Sequence, residues 1–429
     1  MLYFSQKGLI WRVWYNFVKT HREFSLEQYL AIFITLYAAI KIYISVMQIG
    51  FIASKKEEKA LLMSQEEYVN AANYAIFKER LAIGETLLEM LVIIFWISHG
   101  FSLFGAYFSL DTLYGGVAFL LLFFFLNYLV GFPFGYYKSM ILDKEYGFNK
   151  QSGKEYFIDT LKGLLMGGAF LVLISGAIIY FINSFVYWWL YAFLFVFVVI
   201  IFINMVYPTL IAPVFNKFTP LEEGALKVAI DELLVKNGFK SSGVFIMDAS
   251  KRDSRLNAYF GGLGAVKRVV LFDTLIKKLE QNEIIAVLGH ELGHFRHGDI
   301  YKNILLSGVV MFGLFLLFGN LGEGFYAGLG VEREAPLMLA LFSLLLSPIM
   351  FFIAPIISYF SRKAEYKADA HGVNSSDRDS LGFALLKLVR ENRAFPLSHP
   401  LYILFYYSHP PVIKDRKSTR LNSSHRIRS

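Results

Sequence analysis

Tyr187 to Tyr207 reads YWWLYAFLFVFVVIIFINMVY, a run in which Asn204 is the one strongly polar side chain. At 1.5 Å per residue a helix of that length covers about 30 Å, the hydrocarbon thickness of a bilayer. Such a stretch predicts a membrane span. Six others have the same character: Tyr29 to Ile52, Leu81 to Phe104, Leu113 to Phe132, Leu161 to Phe181, Ile304 to Phe325 and Leu337 to Phe360. The composition agrees, being 56% hydrophobic and 17% aromatic with a positive mean hydropathy, far from the balance of a water-soluble enzyme. The expected fold is mainly α, a polytopic membrane protein of about seven spans. No small-residue cleavage site follows the first span, so it reads as a retained helix and not as a signal peptide.

Lys and Arg in the short loops set the expected orientation. Loop one carries Lys55, Lys56, Lys59, Lys78 and Arg80, and loop three carries Lys138, Lys144, Lys150 and Lys154. Loops two and four have neither residue, and loop six has Arg333 alone. The odd loops and the C-terminal part are therefore expected in the cytoplasm and the N-terminus outside, against a mild counter-signal from Lys7, Arg12, Lys19 and Arg22. For a bacterial chain the membrane would be the plasma membrane, and for a eukaryotic one the endoplasmic reticulum. The net charge of +8 is explained by this asymmetry and by anionic lipid, with no need for a nucleic-acid partner.

Between spans five and six lies the one long polar stretch, Pro208 to Lys302, patterned as a small α+β unit. Leu221 to Lys236 is an amphipathic helix; Gly243 to Met247, Leu256 to Gly261 and Arg268 to Phe272 read as short strands; Leu275 to Gln281 and Asn282 to His297 read as helices. The last of these contains His290-Glu291-Leu292-Gly293-His294. On a helix, residues four apart share a face, so both imidazoles can reach one cation while Glu291 holds a water. Chance would place such a pentad in roughly one chain of this kind per hundred. Its setting, an apolar helical approach from Glu283 to Leu288 with Gly298 as a stop, makes it a zincin-like hydrolytic site. Cysteine is absent, which excludes disulfides, thiol catalysis and thiolate-bound zinc.

A catalytic zinc needs a third protein ligand and one open position. Glu365 is the leading candidate, just beyond span seven in Ser361-Arg362-Lys363-Ala364-Glu365-Tyr366-Lys367-Ala368-Asp369. Two spans separate it from His294, and an even number of crossings returns the chain to the same membrane face. Asp369, one turn on, is placed to accept a hydrogen bond from a ligating imidazole, the alternative being a surface pair with Arg362 or Lys363. His297 and His371 compete as third ligand. A third His six residues after the second is ruled out by Ile300.

These features resemble the integral-membrane zinc peptidases that include the type I CaaX prenyl proteases. The resemblance runs to about Arg416 and includes seven spans, the pentad before span six, and Ser361-Arg362-x-x-Glu365-x-x-x-Asp369 after span seven. Asn257-Ala258-Tyr259-Phe260-Gly261 and Ser408-His409-Pro410-Pro411, followed by Arg416, also fit. The stretch Asp248 to Leu256 departs from the pattern, with Arg255 where a His is expected.

The resemblance implies that Glu365 completes a site for one Zn2+ per chain. It further implies that Asn257, Ala258 and Tyr259 lie on an edge strand taking substrate by strand addition, and that His409 and Arg416 hold the substrate backbone or oxyanion. It implies a membrane-embedded chamber with the zinc site at its cytoplasmic rim. Expected substrates are peptides or proteins that are membrane-associated or lipid-modified, prenylated CaaX-type chains among them. Glu291 would be the general base, drawing a proton from water whose pKa a catalytic zinc lowers towards about 7.

The expected division of the chain is 1–207 (N-terminal segment and five spans), 208–303 (catalytic unit), 304–360 (spans six and seven), 361–416 (second ligand helix and substrate segment) and 417–429. The last piece, rich in Ser, Arg and Asn, is either a solvated basic tail or a cloning artefact, and carries no function here. Competing readings are a membrane quality-control protease of broader specificity and a non-catalytic zinc-binding scaffold.

Overall fold

The computed structural model describes residues 25–262, 267–375 and 379–411. Arg416, the 417–429 tail and the basic N-terminal residues lie outside the described residues. Seven of the described helices are long and apolar enough to cross a membrane. The first five are α1 (Leu26–Lys56), α2 (Gln65–Phe95), α3 (Leu113–Tyr136), α4 (Gly153–Ser184) and α5 (Trp188–Val206). Wide π turns prolong α2 to Gly105, α3 to Glu145 and α5 to Phe215.

Serine capping boxes open three of them, Ser25 with Gln28, Ser64 with Glu67 and Ser152 with Glu155. Each box satisfies first-turn N–H groups that have no partner inside the helix. With 31 residues apiece, α1 and α2 are about 46 Å long, well beyond the roughly 30 Å of hydrocarbon. Leu81 to Phe104 therefore marks only part of α2: the charged turns from Gln65 to Arg80 hide the remainder from a hydropathy reading. Leu165, Val198, Leu305 and Ile356 point outward, as lipid-facing side chains do. Trp96, Phe119, Phe123 and Leu341 are buried within the bundle.

The ionisable groups Lys41 and Glu89 within the spans turn toward one another. Lys41 Nζ lies 3.0 Å from Glu89 Oε2, and Tyr37 Oη donates to the same oxygen at 2.8 Å. Glu85, Glu89, Asn127, Ser343 and Ser347 help line a cavity of about 330 Å³. This satisfies the rule that ionisable groups at membrane depth face a partner or a cavity and not lipid.

The unit after α5 contains β1 (Phe218–Pro220), helix α6 (Ala225–Lys236), β2 (Val244–Met247), β3 (Ala258–Gly261) and β4 (Arg268–Phe272). Helices α7 (Asp273–Lys278) and α8 (Gln281–Arg296) complete it. The sheet order is β1-β2-β4-β3. The β2–β4 pair is parallel and the other two pairs are antiparallel. Three residues ending in proline are too short a signal to announce β1. The amphipathic helix starts at Ala225, not Leu221, because Leu221 N–H bonds to Val244 O and extends the sheet.

The core of this unit packs Ile230, Leu233 and Leu234 of α6 and Val269 and Leu271 of β4 against Ile284, Leu288 and Leu292 of α8. Leu288 and Leu292 are fully buried, each contributing about 1.5–3 kcal/mol. Both point away from the imidazoles, so α8 has one face for the core and another for the site.

The main helices that follow are α9 (Asp299–Gly319), α10 (Ala335–Ser375), α11 (Ser380–Glu391) and α12 (Pro400–Tyr406). Span six ends at Gly319, earlier than Phe325, and a separate short helix occupies Glu323–Ala327. Span seven does not end at Phe360: α10 runs unbroken for 41 residues, so the stretch carrying Glu365 and Asp369 continues a membrane helix.

Loops one and three join the catalytic unit. Lys150 N–H donates to Arg252 O at 3.2 Å, and Arg252 pairs with Asp159 at 2.8 Å. Arg255 reaches Asp253 at 2.7 Å, Asp143 at 3.1 Å and Tyr74 Oη at 2.7 Å, with its guanidinium 4.0 Å from the Phe148 ring centre. The arginine at the expected histidine position thus ties the unit to α2 and to the end of α3.

Candidate active site

Helix α8 supplies the two imidazoles. Its first turn is closed by Glu280 and Glu283, where negative charge suits the helix dipole. Buried Glu283 also pairs with Lys387 of α11 at 2.7 Å. At the far end Gly298 adopts φ 68°, a left-handed turn that favours glycine and folds Asp299 back beneath His294.

Small residues let α8 and α10 touch. A Cβ on Gly293 would lie 2.9 Å from Ala368 Cα, and one on Gly289 would lie 2.6 Å from Ser375 Cβ. A Cβ on Gly372 would meet His290 Cα at 3.2 Å. This approach brings Glu365 between the imidazoles. His290 Nε2 lies 3.3 Å from Glu365 Oε2, and His294 Nε2 lies 3.4 Å from Glu365 Oε1. One ligand atom from each of the three residues falls within 4.8 Å of the others.

The outer nitrogens are also held. His290 Nδ1 faces Asp369 Oδ1 at 2.9 Å, and His294 Nδ1 faces Asp299 Oδ2 at 3.1 Å. A carboxylate on Nδ1 fixes the proton there and presents the Nε2 lone pair inward, as metal-bound histidines require. Asp369 thus has its expected partner and is not paired with Arg362 or Lys363. Asp299 is a second such carboxylate that the sequence did not announce. The one signal was an acid shortly after a glycine stop.

Two nitrogen donors and one carboxylate, each imidazole backed by a buried acid, fit a divalent cation of the zinc type. His297 and His371 stay apart from this set, their rings facing one another at 6.3 Å, and His371 Nε2 is hydrogen-bonded to Asn237.

The carboxylate of Glu291 makes no hydrogen bond among the described residues. It borders a cavity of about 130 Å³ shared with Phe260 and Gly261 of β3, Lys267 and His294. Burial pushes its carboxyl above the usual range, against the pull of His290 and His294. For His290 burial opposes the charge, but hydrogen bonds to Asp369 and Glu365 outweigh it and pull the imidazole up to about 10.

Among the described strands β3 pairs with β4 alone, so its other edge is open. Asn257 and Tyr259 line a cleft of about 760 Å³ running between β3, α5 and α9, whereas Ala258 is buried in the core of the unit. His409 is brought to the site from the C-terminal side, with Nε2 3.3 Å from Glu365 Oε1.

A membrane-spanning bundle and an HExxH helix joined by a distant glutamate define an integral-membrane metallopeptidase. The family model described as "Peptidase family M48" matches residues 220–419, and that described as "CAAX prenyl protease N-terminal, five membrane helices" matches residues 48–217. The CAAX prenyl protease 1 homolog of Homo sapiens is 30% identical over 369 residues, covering 76% of this chain and 77% of that protein. CAAX prenyl protease 1 of Saccharomyces cerevisiae is 35% identical over 310 residues, 67% of this chain and 68% of that protein. The chain belongs to peptidase family M48, in the group of the CAAX prenyl proteases. The crystal structure of S. mikatae Ste24p superposes with a TM-score of 0.81 at 29% identity, covering 92% of this chain and 99% of that one.

Proposed function

We propose that the chain hydrolyses peptide bonds in membrane-associated, lipid-modified proteins of the CaaX type, using one zinc ion held by His290, His294 and Glu365. The observation that carries this reading is the convergence of those donors beside a base, Glu291, that shares a cavity with the open-edged strand β3. The relatives, CAAX prenyl protease 1 and its homologues, supply the substrate class by name. The active face is the cytoplasmic one, supported by the junction of basic loops one and three with the catalytic unit.

In this mechanism an extended peptide adds to β3, whose free backbone groups hold it in register while the cleft beside Asn257 and Tyr259 takes neighbouring substrate atoms. Zinc, when bound, polarises the scissile carbonyl and acidifies water. Glu291 takes the proton of the attacking water and hands it to the leaving amine, a role suited to a carboxyl raised by burial. His409 donates from Nε2 to the developing oxyanion. Asp369 and Asp299 keep both imidazoles in the ligating tautomer. Arg416, proposed from the resemblance alone, assists at the oxyanion.

The test is cleavage by purified protein in lipid vesicles, with metal content measured on the same sample. A farnesylated CaaX peptide is expected to be cut much faster than its unmodified counterpart. Equal rates would remove lipid recognition. Preference for a denatured membrane protein would favour a quality-control role, and stoichiometric zinc without cleavage of anything would favour a scaffold.

A further inference from the structure

His409 cannot hold itself in place. Its side chain is 67% exposed, and besides Glu365 its hydrogen-bond partner among the described residues is the hydroxyl of its own neighbour Ser408, 2.8 Å from Nδ1. Its position over Glu365 must come from the backbone that carries it.

That backbone is gripped two residues earlier. Arg362 Nη1 donates to Tyr407 O at 2.6 Å and to Ile403 O at 3.1 Å. Tyr407 is the C-cap of α12, and Ile403 O also accepts from Tyr407 N–H at 3.3 Å, so the guanidinium sits at the C-terminal end of the helix, where the dipole favours a cation. Arg362 stands three residues before Glu365 on α10, so the two side chains share a helical face. One face of α10 therefore supplies a metal ligand and fixes the segment that presents His409 to it.

We propose that Arg362 is a positioning residue for the hydrolytic reaction, setting His409 against the site by holding the end of α12. The proposal rests on the reading of His409 as oxyanion donor. It assigns a task to an arginine that forms no ion pair among the described residues and that the catalytic chemistry leaves unused. Lysine, with a shorter reach and no planar fork, cannot bring its nitrogen to the place between the two carbonyls that Arg362 Nη1 occupies.

The test is a double-mutant cycle in vesicle-reconstituted protein with Arg362→Ala, His409→Ala and the double variant, following kcat, KM and bound zinc. Arg362→Ala is expected to lower kcat by about 10- to 100-fold, the loss that accompanies misplacement of a reacting group by about 1 Å, with zinc content and KM little changed. The double variant should match His409→Ala. A wild-type kcat in Arg362→Ala, or a double variant losing the product of the two single losses while His409→Ala is impaired, overturns the positioning role alone. A wild-type kcat in His409→Ala removes the oxyanion reading and the positioning role with it. If Arg362→Ala fails to assemble, Arg362→Lys goes through the same cycle, with the same outcomes deciding.

Discussion

His290 is held from both sides by α10, its Nδ1 2.9 Å from Asp369 Oδ1 and its Nε2 3.3 Å from Glu365 Oε2. The two acids lie four positions apart on α10, so one turn of one helix supplies both the proposed ligand carboxylate and the group that orients the imidazole beside it. Replacing Asp369 by Asn keeps the shape but removes the charge that fixes the tautomer. Asp369→Asn is expected to weaken zinc binding by about 10- to 100-fold, as is Asp299→Asn through His294. Competition with a calibrated chelator measures this, and unchanged affinity in both would show that the acids serve packing only.

Protons compete with the metal at His290. In chelator-stripped protein its imidazole is drawn up to about 10, so near neutral pH it is charged and zinc must displace that proton. The sign follows: affinity climbs as pH rises towards 10 and falls in acid. With His290 charged, its ion pairs stabilise the stripped protein below the ordinary histidine pKa, and that stabilisation fades as pH rises towards 10. Titration calorimetry in buffers of different ionisation enthalpy should record proton release on zinc uptake. No release at pH 7 would mean that the imidazole is already neutral.

Gly293 is needed for contact between helices, not for a turn. An alanine there would press on Ala368 Cα at 2.9 Å and Ala368 O at 3.1 Å, neither of which can rotate away. Gly293→Ala is expected to cost about 1–3 kcal/mol and to part Glu365 from the imidazoles. Reduced thermal stability together with lost zinc would bear this out, while a variant with normal zinc content and stability would contradict the close crossing.

Much of this site was legible in the chain. The pentad fixed a helix with two imidazoles on one face, and the parity of membrane crossings placed Glu365 on the same side without any distance information. Asp369 followed from helical spacing. Asp299 was not legible, because its approach to His294 depends on one left-handed residue, Gly298. Gly289 and Gly293 gave no warning either, since a small residue in a helix carries meaning only once its neighbour is known. Helix ends were hidden for a plainer reason: charged turns beyond the bilayer, as in the first half of α2, lower the hydropathy while the hydrogen-bonded helix goes on.

In the proposed reaction Glu291 moves the proton, beside a metal held by His290, His294 and Glu365. The most direct measurement is single-turnover cleavage of a farnesylated CaaX peptide by wild type and Glu291→Gln at equal, measured zinc content. Wild type should cleave, and Glu291→Gln should retain the metal while losing about 100- to 10,000-fold in rate. A zinc-loaded Glu291→Gln protein that cleaves at the wild-type rate would contradict the account.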